Sequence, residues 1–566
     1  MTRSPATEWH RIAEQPFVLL EFGGSAQLYR SGTVIDVRES AQVGAALDEL
    51  RGRNAVGFLA YEAGFALERK LAAKDARGEL PLLWFMVDAR REEAPELPNT
   101  DGAWASAPSP LIERADYLAA VETIQQHIID GDIYQANFTF QSQVRTQGHP
   151  LALYAQLRER AQANWGAIMF TGTHWILSLS PELFFTCQGG QVTCRPMKGT
   201  AAPESDPETL RNDPKQRAEN LMIVDLLRND LSRVAEPGTV RVPELFEVER
   251  YPTVLQMTST VTGRLQDRTG PINLLKAMFP CGSITGAPKI RAMEIIDELE
   301  RGHRRVYTGS IGRLSTDGDA AFNVAIRTLV LPTGESVATI GLGSGIVVDS
   351  RGDAEWEECR AKGAFVATCA KFNLIETMRA ENGMLADLHA HLDRLGSSAE
   401  TFGFPFDRPA LETALAERSG ASGRIRLELA PDGSWTIDLS PMPQSPEVAQ
   451  VAIVPRPTDR FDFRLAHKMT DRAFYDSARE ESGAFEIVFV DDAGFLTEGS
   501  FTNLFVERDG RLITPPLSRG LLPGILRQKL LLNGDAVEGD LREEDLEAGF
   551  YVGNALRGLI RARLRP

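Results

Sequence analysis

The sequence predicts a globular protein of at least two domains that combine β-strands with α-helices. At 566 residues the chain is too long to fold around one hydrophobic core. Its hydrophobic content of 43% and aromatic content of 8% are ordinary for a folded protein. Short apolar runs bounded by turn residues alternate through the first hundred positions, and a segment with helical periodicity follows them.

The N-terminal elements can be assigned in order along the chain. Residues 17–22 and 56–61 are short apolar runs and are predicted as strands. The proline-rich residues 95–110 are predicted as an exposed loop. Residues 117–130 place apolar side chains on one face and are followed by Gly131 as a stop signal, which predicts a helix.

The charge and the cysteines restrict the partners and the compartment. A formal net charge of −17 argues against nucleic acid or an anionic membrane as the main partner, although a local cluster of cations can still bind an anionic substrate. Five cysteines without a CxxC spacing indicate free thiols in a reducing compartment, and pairing of Cys187 with Cys194 across a hairpin stays open. There is no recognisable signal peptide and no apolar run of the ~20 residues that span a bilayer. A cytoplasmic protein with no membrane partner is therefore expected.

Two sets of motifs divide the chain, and the change between them comes near residue 371 without a flexible linker. The first set ends with residues 355–362 and the second begins with residues 375–379. We therefore predict two domains, at residues 1–370 and 371–566.

The first set consists of segments that follow one another in order: Ser180-Pro-Glu182, Arg195-Pro-Met-Lys-Gly-Thr200, residues 218–230, Gly282-Ser-Ile-Thr-Gly-Ala-Pro-Lys289 and residues 355–362. This ordered set resembles the chorismate-utilising enzymes. The resemblance implies an α+β domain with large antiparallel sheets that binds chorismate.

Lys198 is the residue that separates two reactions of this family. The resemblance implies that lysine at this position is typical of aminodeoxychorismate synthases, component I, whereas anthranilate synthases usually carry a small residue there. It further implies that Lys198 attacks ring carbon C2 and that ammonia then enters at C4, with Glu182 as general acid or base for the departing hydroxyl. Desolvation and nearby cations should lower the pKa of Lys198.

A divalent metal site is the second expectation for this domain. Glu355, Glu358 and Lys362 are spaced to share one face of a helix, which alone fits an ordinary solvated face. Glu219 lies in an upstream helical segment, and two carboxylates from two helices can hold Mg²⁺ while it keeps waters and binds a substrate carboxylate. The resemblance implies Glu219 and Glu358 as ligands, with Glu355 beside them.

Further residues are expected to hold chorismate. Thr285 and Gly286 should open a helix whose amides bind a carboxylate. Arg327 is a cation in an apolar strand segment and needs a partner. The resemblance makes that partner the enolpyruvyl carboxylate, assisted by Lys362. It also assigns substrate binding to Tyr307, Gly345 and Gln256; Gln256 stands where several relatives place histidine, and glutamine can donate a hydrogen bond but cannot shuttle a proton.

Nothing in the sequence resembles a glutamine amidotransferase, because a Gly-x-Cys-x-Gly elbow is absent. Ammonia is therefore expected from a separate glutaminase subunit or from solution.

The second set consists of His391-Leu-Asp-Arg-Leu395, His467-Lys-Met-Thr-Asp-Arg472, Leu496-Thr-Glu-Gly-Ser-Phe-Thr-Asn503 and Leu521-Leu-Pro-Gly-Ile-Leu-Arg527, in that order. Together they resemble the fold-type IV pyridoxal phosphate enzymes, which include aminotransferases and 4-amino-4-deoxychorismate lyases. It implies an α/β domain with a barrel-like half, pyridoxal phosphate as cofactor and a homodimer through this domain. Lys468 matches the lysine that holds the cofactor, and Glu498 the acid on the pyridine nitrogen. The phosphate is assigned to Arg394, to Gly524 and Ile525 at a helix start, and to Asn554 and Ala555.

The fusion of the two domains selects among the activities that each motif set allows. The amine made by the first domain would be the substrate of a lyase in the second, so the sequence predicts a bifunctional enzyme that makes 4-aminobenzoate for folate. Two alternatives stay open: an anthranilate synthase fused to a class IV aminotransferase, and a degenerate scaffold that binds a glutaminase without catalysis.

Overall fold

The computed structural model describes residues 5–71, 78–251, 254–267, 269–418, 420, 422–547 and 549–565. The chain forms two compact units. The first comprises Met1–Pro98, Ala107–Val144 and Tyr154–Ala367, and the second comprises Asn99–Ser106, Arg145–Leu153 and Thr368–Pro566.

The strands and helices up to residue 363 are the following. The strands are β1 Phe17–Phe22, β2 Ser25–Arg30, β3 Thr33–Val37, β4 Ala55–Leu59, β5 Leu83–Val87, β6 Arg90–Glu93, β7 Trp104–Ala105, β8 Ser109–Pro110, β9 Gln135–Gln147, β10 Trp165–Phe170, β11 His174–Ser180, β12 Leu183–Gln188, β13 Gln191–Arg195, β14 Met197–Ala201, β15 Arg241–Tyr251, β16 Val254–Arg264, β17 Gly286–Ala287, β18 Ser310–Leu314, β19 Ala320–Asn323, β20 Thr328–Pro332 and β21 Val337–Ile346. The helices are α1 Pro5–Ile12, α2 Ser40–Glu49, α3 Ala63–Leu67, α4 Arg114–Ile129, α5 Pro150–Ala161, α6 Pro207–Asn212, α7 Pro214–Ser232, α8 Pro271–Met278, α9 Lys289–Leu299 and α10 Gly352–Gly363. The strands predicted at 17–22 and 56–61 and the helix predicted at 117–130 are confirmed within a few residues.

Two antiparallel sheets form the first unit. One has the order β17-β9-β21-β20-β11-β10-β1-β2-β6, with β8 on β9, and the other has the order β14-β16-β13-β12-β19-β18-β4-β5-β3, with β15 on β16. Val18 of β1, Phe58 of β4 and Ile176 of β11 belong to one buried cluster, so the two sheets pack face to face. The predicted α+β architecture with large antiparallel sheets is confirmed.

Helices α2, α7 and α8 cover the other face of the second sheet. Leu47, Leu227 and Leu275 from these helices share a core with Phe185 of β12. Burying a side chain of this size contributes about 2 kcal/mol of transfer free energy. The packing fixes α7 against the sheet and so positions Glu219 near its start.

The second unit contains the remaining elements. The strands are β22 Leu374–Glu381, β23 Met384–Leu385, β24 Gly423–Leu429, β25 Trp435–Ser440, β26 Val448–Pro455, β27 Glu486–Val490, β28 Asn503–Arg508, β29 Arg511–Thr514, β30 Ala536–Glu538, β31 Phe550–Asn554 and β32 Gly558–Leu564, and the helices are α11 Leu388–Phe402, α12 Arg408–Arg418, α13 Phe463–Ala466, α14 Ala473–Ser482 and α15 Ile525–Asn533. One sheet is antiparallel, in the order β23-β22-β24-β25. The other, β27-β26-β32-β31-β28-β29-β30, is mixed, because β26 runs parallel to both of its neighbours. The predicted α/β class of this domain is confirmed.

The prediction of an exposed loop at residues 95–110 is wrong for its central part. Trp104 lies in β7, is only 3% exposed and belongs to the hydrophobic core of the second unit. Its indole ring packs edge-on at 5.0 Å from the ring of Phe402. Prolines on both sides suggested a solvent-exposed segment, but one large apolar side chain anchors it.

Two remaining expectations concern the cysteines and the membrane. All five thiols are free, and Cys187 lies opposite Val192 rather than Cys194 in the hairpin register. In the part of the chain that the structure describes, no helix combines the length and apolar content needed to cross a bilayer.

Candidate active sites

The first unit contains a cavity of about 500 Å³ between β14, α7, β21 and α10. Ten of the residues singled out in the sequence line it: Glu182, Lys198, Glu219, Gln256, Tyr307, Arg327, Gly345, Glu355, Glu358 and Lys362. Thr285 and Gly286 do not.

The backbone on either side of the Lys198 side chain is held by two amides. Asn220 of α7 donates from Nδ2 to the carbonyl of Lys198 at 3.2 Å, and Gln256 of β16 donates from Nε2 to the carbonyl of Gly199 at 2.9 Å. Gly199 has φ +98°, a backbone conformation that residues other than glycine rarely adopt. These contacts fix the direction in which Lys198 leaves β14. Sequence reasoning missed Asn220, although it lies inside the quoted segment 218–230.

The ammonium of Lys198 sits among charges of both signs. Desolvation by the surrounding protein lowers its pKa most, and Lys362 lowers it further, while Glu219, Glu358 and Glu182 oppose the shift. A Cβ atom on Gly345 would lie 3.0 Å from the Lys198 Nζ, so a side chain at this position would crowd the amine and shift it. Lys198 is thereby biased towards the neutral, nucleophilic form.

Glu182 is a buried carboxyl of this cavity, at 5% exposure. Ser283 donates from Oγ to its Oε1 at 2.6 Å. Burial raises the pKa of Glu182 to about 7, against the lowering effects of Ser283, Lys198 and Lys362. A carboxyl with this pKa can both give and take a proton near neutral pH. Ser283 was also missed, although it lies in the quoted segment 282–289.

Helix α10 presents Glu355, Glu358 and Lys362 to the cavity, as their spacing predicts. Glu355 accepts a hydrogen bond from Ser350 Oγ at 2.8 Å, and Glu358 pairs with Lys362 at 2.6 Å. Burial would raise the pKa of Glu358, but Lys362 lowers it below the ordinary range.

Glu219 faces these carboxylates from α7. Burial raises its pKa, and the charges of Glu358 and Glu355 add to that rise, although Lys198 and Lys215 lower it. Among the described residues, no three His, Cys, Asp or Glu side chains are arranged to hold a metal ion. Mutual repulsion between carboxylates is nevertheless what a divalent cation relieves, and Mg²⁺ needs only one or two protein carboxylates beside water and substrate. The donor set therefore fits Mg²⁺.

Arg327 is placed differently from the prediction. It lies at a bend just before β20 rather than inside a strand, with φ +50°. Its guanidinium lies 5.9 Å from the centre of the Phe365 ring. A bulky residue in this backbone region is strained, and such strain collects at functional positions.

The predicted carboxylate-binding helix start also differs. Helix α9 begins at Lys289, and Gly286 lies in a two-residue strand opposite Ala136 of β9. A Cβ on Gly286 would lie 2.2 Å from the carbonyl oxygen of Gln135, so glycine is needed here for the close approach of two strands. Neither Thr285 nor Gly286 lines the cavity, and their substrate-binding roles stay predictions. Tyr307 packs flat against Gly341 inside the cavity wall.

The second unit contains a cavity of about 530 Å³. Every residue predicted to bind the cofactor lines it: Arg394, Lys468, Glu498, Gly524, Ile525, Asn554 and Ala555.

Lys468 is half-buried in this cavity, and the main chain holds it through a hydrogen bond from the Ile375 amide to its carbonyl at 3.0 Å. Desolvation lowers its pKa to about 8, Arg394 contributes to the lowering, and Glu376 opposes it. A sizeable neutral fraction near pH 7–8 suits an amine that must bond to an aldehyde.

Glu376 pairs with Arg394 and His391, and both of these residues line the cavity. Arg394 donates to it from Nε at 2.8 Å and from Nη2 at 2.7 Å, and His391 Nδ1 lies 2.7 Å away. Burial would raise the pKa of Glu376, but Arg394 and His391 bring it down to about 2. Glu376 lies in the segment 375–379 and was given no role from the sequence.

Glu498 lines the same cavity and is buried. Tyr475 donates from its hydroxyl to Oε1 at 2.6 Å, and the amide of Leu522 donates to Oε2 at 3.0 Å. Burial raises the pKa of Glu498 to about 7, and a cation placed beside it would favour the ionised, hydrogen-bond-accepting form. Tyr475 carried no sequence signal beyond helical periodicity.

The donor set of the second cavity fits pyridoxal phosphate. Helix α15 begins at Ile525, and its N-terminus faces the cavity beside Arg394, which suits a phosphate. A Cβ on Gly524 would lie 1.9 Å from Asn503 Oδ1, so this helix start is tightly cradled. Asn554 donates from Nδ2 to the carbonyl of Phe501 at 3.0 Å and so fixes the loop that follows β31.

Comparisons with known proteins match two families to two stretches of the chain. A family model described as chorismate binding enzyme matches residues 1–368, and one described as amino-transferase class IV matches residues 373–564. Aminodeoxychorismate synthase component 1 from Klebsiella aerogenes is 40% identical over 336 residues, which cover 54% of this chain and 74% of that protein.

Proteins named as anthranilate synthases are also similar to this chain. Anthranilate synthase component 1 from Haloferax volcanii is 40% identical over 258 residues, 44% of this chain and 49% of that protein. The crystal structure of anthranilate synthase component I from Streptococcus pneumoniae has a TM-score of 0.51 at 29% identity and covers 62% of this chain and 90% of that chain. Identity alone therefore does not separate the two reactions, and the cavity residues must.

Proposed function

This chain belongs to the chorismate-binding enzyme family and carries a class IV aminotransferase domain, and on that premise we propose that it makes 4-aminobenzoate from chorismate in two steps. The first cavity replaces the C4 hydroxyl of chorismate with an amino group, and the second converts the product to 4-aminobenzoate and pyruvate. The observation that carries this proposal is Lys198, whose amine enters the first cavity beside the carboxyl of Glu182.

In the first step the Lys198 amine forms a bond to ring carbon C2 as the C4 hydroxyl leaves with a proton from Glu182. Ammonia then forms a bond to C4, the bond between Lys198 and C2 breaks, and the net products are the amine and water. Mg²⁺ held by Glu219 and Glu358, with Glu355 nearby, would neutralise the ring carboxylate. Arg327, Lys362 and Tyr307 supply cationic and polar contacts in the same cavity.

In the second step Lys468 would hold pyridoxal phosphate, with Glu498 at the pyridine nitrogen and Arg394 and the start of α15 at the phosphate. When bound, the cofactor supplies an electron sink that makes the C4 proton of the amine acidic. The Lys468 amine removes that proton and returns one to the departing enolpyruvyl group, so that pyruvate leaves and the ring becomes aromatic.

The partners follow from the same proposal. Ammonia would come from a separate glutamine amidotransferase subunit, and a homodimer through the second domain and a cytoplasmic location stay predictions.

Product analysis tests both steps at once. The purified chain is incubated with chorismate, Mg²⁺ and an ammonium salt, with and without pyridoxal phosphate. We expect 4-aminobenzoate and pyruvate with the cofactor and aminodeoxychorismate without it. Anthranilate as the product would contradict the role given to Lys198. Aminodeoxychorismate that disappears only when a keto acid is added would make the second domain an aminotransferase.

A further inference from the structure

The second cavity is strongly cationic although the chain as a whole is acidic. Seven arginines and one lysine line it against three carboxylates, while the formal net charge of the chain is −17. A local excess of positive charge inside a cleft attracts anionic ligands. Bound pyridoxal phosphate would place one phosphate beside Arg394 and the start of α15, which leaves the other cations of the cavity without an assigned anion.

Most of these arginines already have a carboxylate partner. The pairs within 4 Å are Arg394 with Glu376, Arg426 with Glu428, Arg464 with Asp462, and Arg472 and Arg479 with Asp476. Arg424 and Arg557 remain: within the described residues neither forms an ion pair with a carboxylate.

Arg424 and Arg557 are held by one connecting segment. Arg424, on β24, donates from Nε to Ser440 Oγ at 3.0 Å, at the end of β25. Arg557 follows β31 and donates from Nη1 to the carbonyl of Gln444 and to Ser445 Oγ, both at 2.8 Å, and to the carbonyl of Pro443 at 3.2 Å. These acceptors are neutral, so they orient the two guanidinium groups without cancelling their charge.

The two cations are also close enough to repel each other. Burial lowers the pKa of Arg557 most, the charge of Arg424 lowers it further, and Glu486, which is not an ion-pair partner, opposes the shift. The guanidinium of Arg557 lies 5.6 Å from the ring centre of Phe501, another residue of the cavity wall. Two oriented, mutually repelling guanidinium groups beside an aromatic ring form a site that an anion would stabilise.

We propose that Arg424 and Arg557 clamp a carboxylate of the substrate in the second cavity, so that this site selects amines that carry a carboxylate remote from the cofactor phosphate. Guanidinium groups pair with carboxylates through two parallel hydrogen bonds, which gives orientation as well as affinity. The proposal rests on the proposed function for the identity of the substrate, whose ring and enolpyruvyl carboxylates supply such a group. The clamp therefore favours an amine that carries two carboxylates over amino acids with neutral side chains.

The test uses the full chain loaded with pyridoxal phosphate and two probes of similar shape. Isophthalate carries two carboxylates and benzoate carries one, and the binding of each is measured by calorimetry. We expect isophthalate to bind about tenfold more tightly than benzoate, and Arg424→Gln and Arg557→Gln to abolish this preference. Arg561→Gln removes the same charge from an exposed position of β32 outside the cavity and should keep the preference within twofold.

Steady-state kinetics of the second step supply an independent readout. In both cavity variants the KM for aminodeoxychorismate should rise about tenfold or more while kcat changes less than about threefold. Arg424→Lys, which keeps the charge, should recover part of the loss. An unchanged unfolding midpoint and unchanged affinity for pyridoxal phosphate confirm that the variants are folded and loaded.

Two results would overturn the clamp. One is an equal preference for isophthalate in the wild type and in both cavity variants. The other is a fall in affinity for pyridoxal phosphate in the variants, which would assign these arginines to the cofactor. Failure of the proposed function looks different: without any 4-aminobenzoate, an isophthalate preference that depends on Arg424 and Arg557 would still stand and would indicate another dianionic amine.

Discussion

The two cavities contain similar reactive groups in opposite electrostatic surroundings. Each has a lysine whose pKa is lowered by desolvation and a buried glutamate whose pKa is raised to about 7. Lys198 faces Glu219, Glu358 and Glu182, whereas Lys468 lies among arginines. The carboxylates around the first lysine suit a divalent cation, and the arginines around the second suit a phosphate and substrate carboxylates. Charge around a lysine, rather than the lysine itself, therefore separates the two chemistries.

The largest expected effects on activity come from replacing the two lysines, and each replacement should stop a different step. Lys198→Ala should lower amination of chorismate by at least about 10³-fold, because it removes the nucleophile. Lys468→Ala should leave amination intact, stop 4-aminobenzoate formation and make aminodeoxychorismate accumulate. Chromatography of the products from each variant measures both effects.

Exposed lysines give matched controls for this comparison. Lys70→Ala in the first unit and Lys529→Ala in the second remove the same charge away from both reacting centres, and each should keep both rates within about twofold. If Lys198→Ala still aminated chorismate at the wild-type rate, the comparison between the cavities would lose its basis.

Glu182 should give the next largest effect and a distinct pH dependence. Its pKa of about 7 keeps part of it protonated near neutrality, so amination at a fixed concentration of free ammonia should fall as the pH rises through about 7. Glu182→Gln should lose about 10²- to 10⁴-fold in rate, the usual contribution of a general acid, and the remaining rate should lack this inflection. The measurement is the pH profile of kcat/KM.

The same carboxyl predicts a stability change of definite sign. Because burial raises the pKa of Glu182 in the folded state, its contribution to stability is fully present below the unfolded pKa and is lost as the pH rises through about 7. Glu182→Gln should therefore be more stable relative to the wild type at pH 8 than at pH 5, by on the order of 2 kcal/mol. Thermal unfolding at the two pH values checks this, and an equal difference at both would contradict a raised pKa.

The sequence predicted the contents of the two cavities better than their supports. The reactive residues lie in short segments at the ends of strands and helices, so their order along the chain carried the signal for Lys198, Lys468 and Glu498. Asn220 donates a hydrogen bond to the carbonyl of Lys198, and Ser283 donates one to Glu182. Both lie inside the quoted segments, but they have no charge or reactivity that would single them out. Their roles depend on distances between helices, strands and loops in the folded protein, and the spacing of residues along the chain does not predict these distances.

The differences in local structure have another physical origin. Segment 285–289 was expected to open a helix, and α9 does follow it, but Gly286 itself pairs with Ala136 of β9. Arg327 was placed in an apolar strand segment and lies at a bend just before β20, although it lines the cavity as expected. Trp104 was assigned to a loop because of its prolines, yet it packs against Phe402, about 300 positions away along the chain. The contacts of Gly286 and Trp104 join residues that are distant in sequence, so local patterns could not indicate them.

Gly345 should give an effect of middle size that is confined to the first cavity. An added Cβ would lie 3.0 Å from the Lys198 Nζ and 2.9 Å from the Gln135 Nε2, so Gly345→Ala must displace the amine. We expect amination to fall about 10- to 100-fold, as small displacements of a reacting group do, while conversion of added aminodeoxychorismate to 4-aminobenzoate stays unchanged. Gly44→Ala, where nothing lies within 4 Å of the added Cβ, is the control. A parallel loss in both steps would point to general destabilisation instead.

The smallest effect should come from Gln256, because it acts on Lys198 only through the neighbouring backbone. Its Nε2 donates to the carbonyl of Gly199 at 2.9 Å, and Gln256→Met keeps the length of the side chain but removes that donor. Loss of one such hydrogen bond, about 0.5–1.5 kcal/mol, corresponds to a fall of about 2- to 13-fold in amination. A positioning role predicts that the fall appears in kcat, with the KM for chorismate nearly constant. A rise in KM at constant kcat would mean that Gln256 binds chorismate directly, the role that the family resemblance implies. The second step should be unaffected in either case, because Gln256 lines only the first cavity.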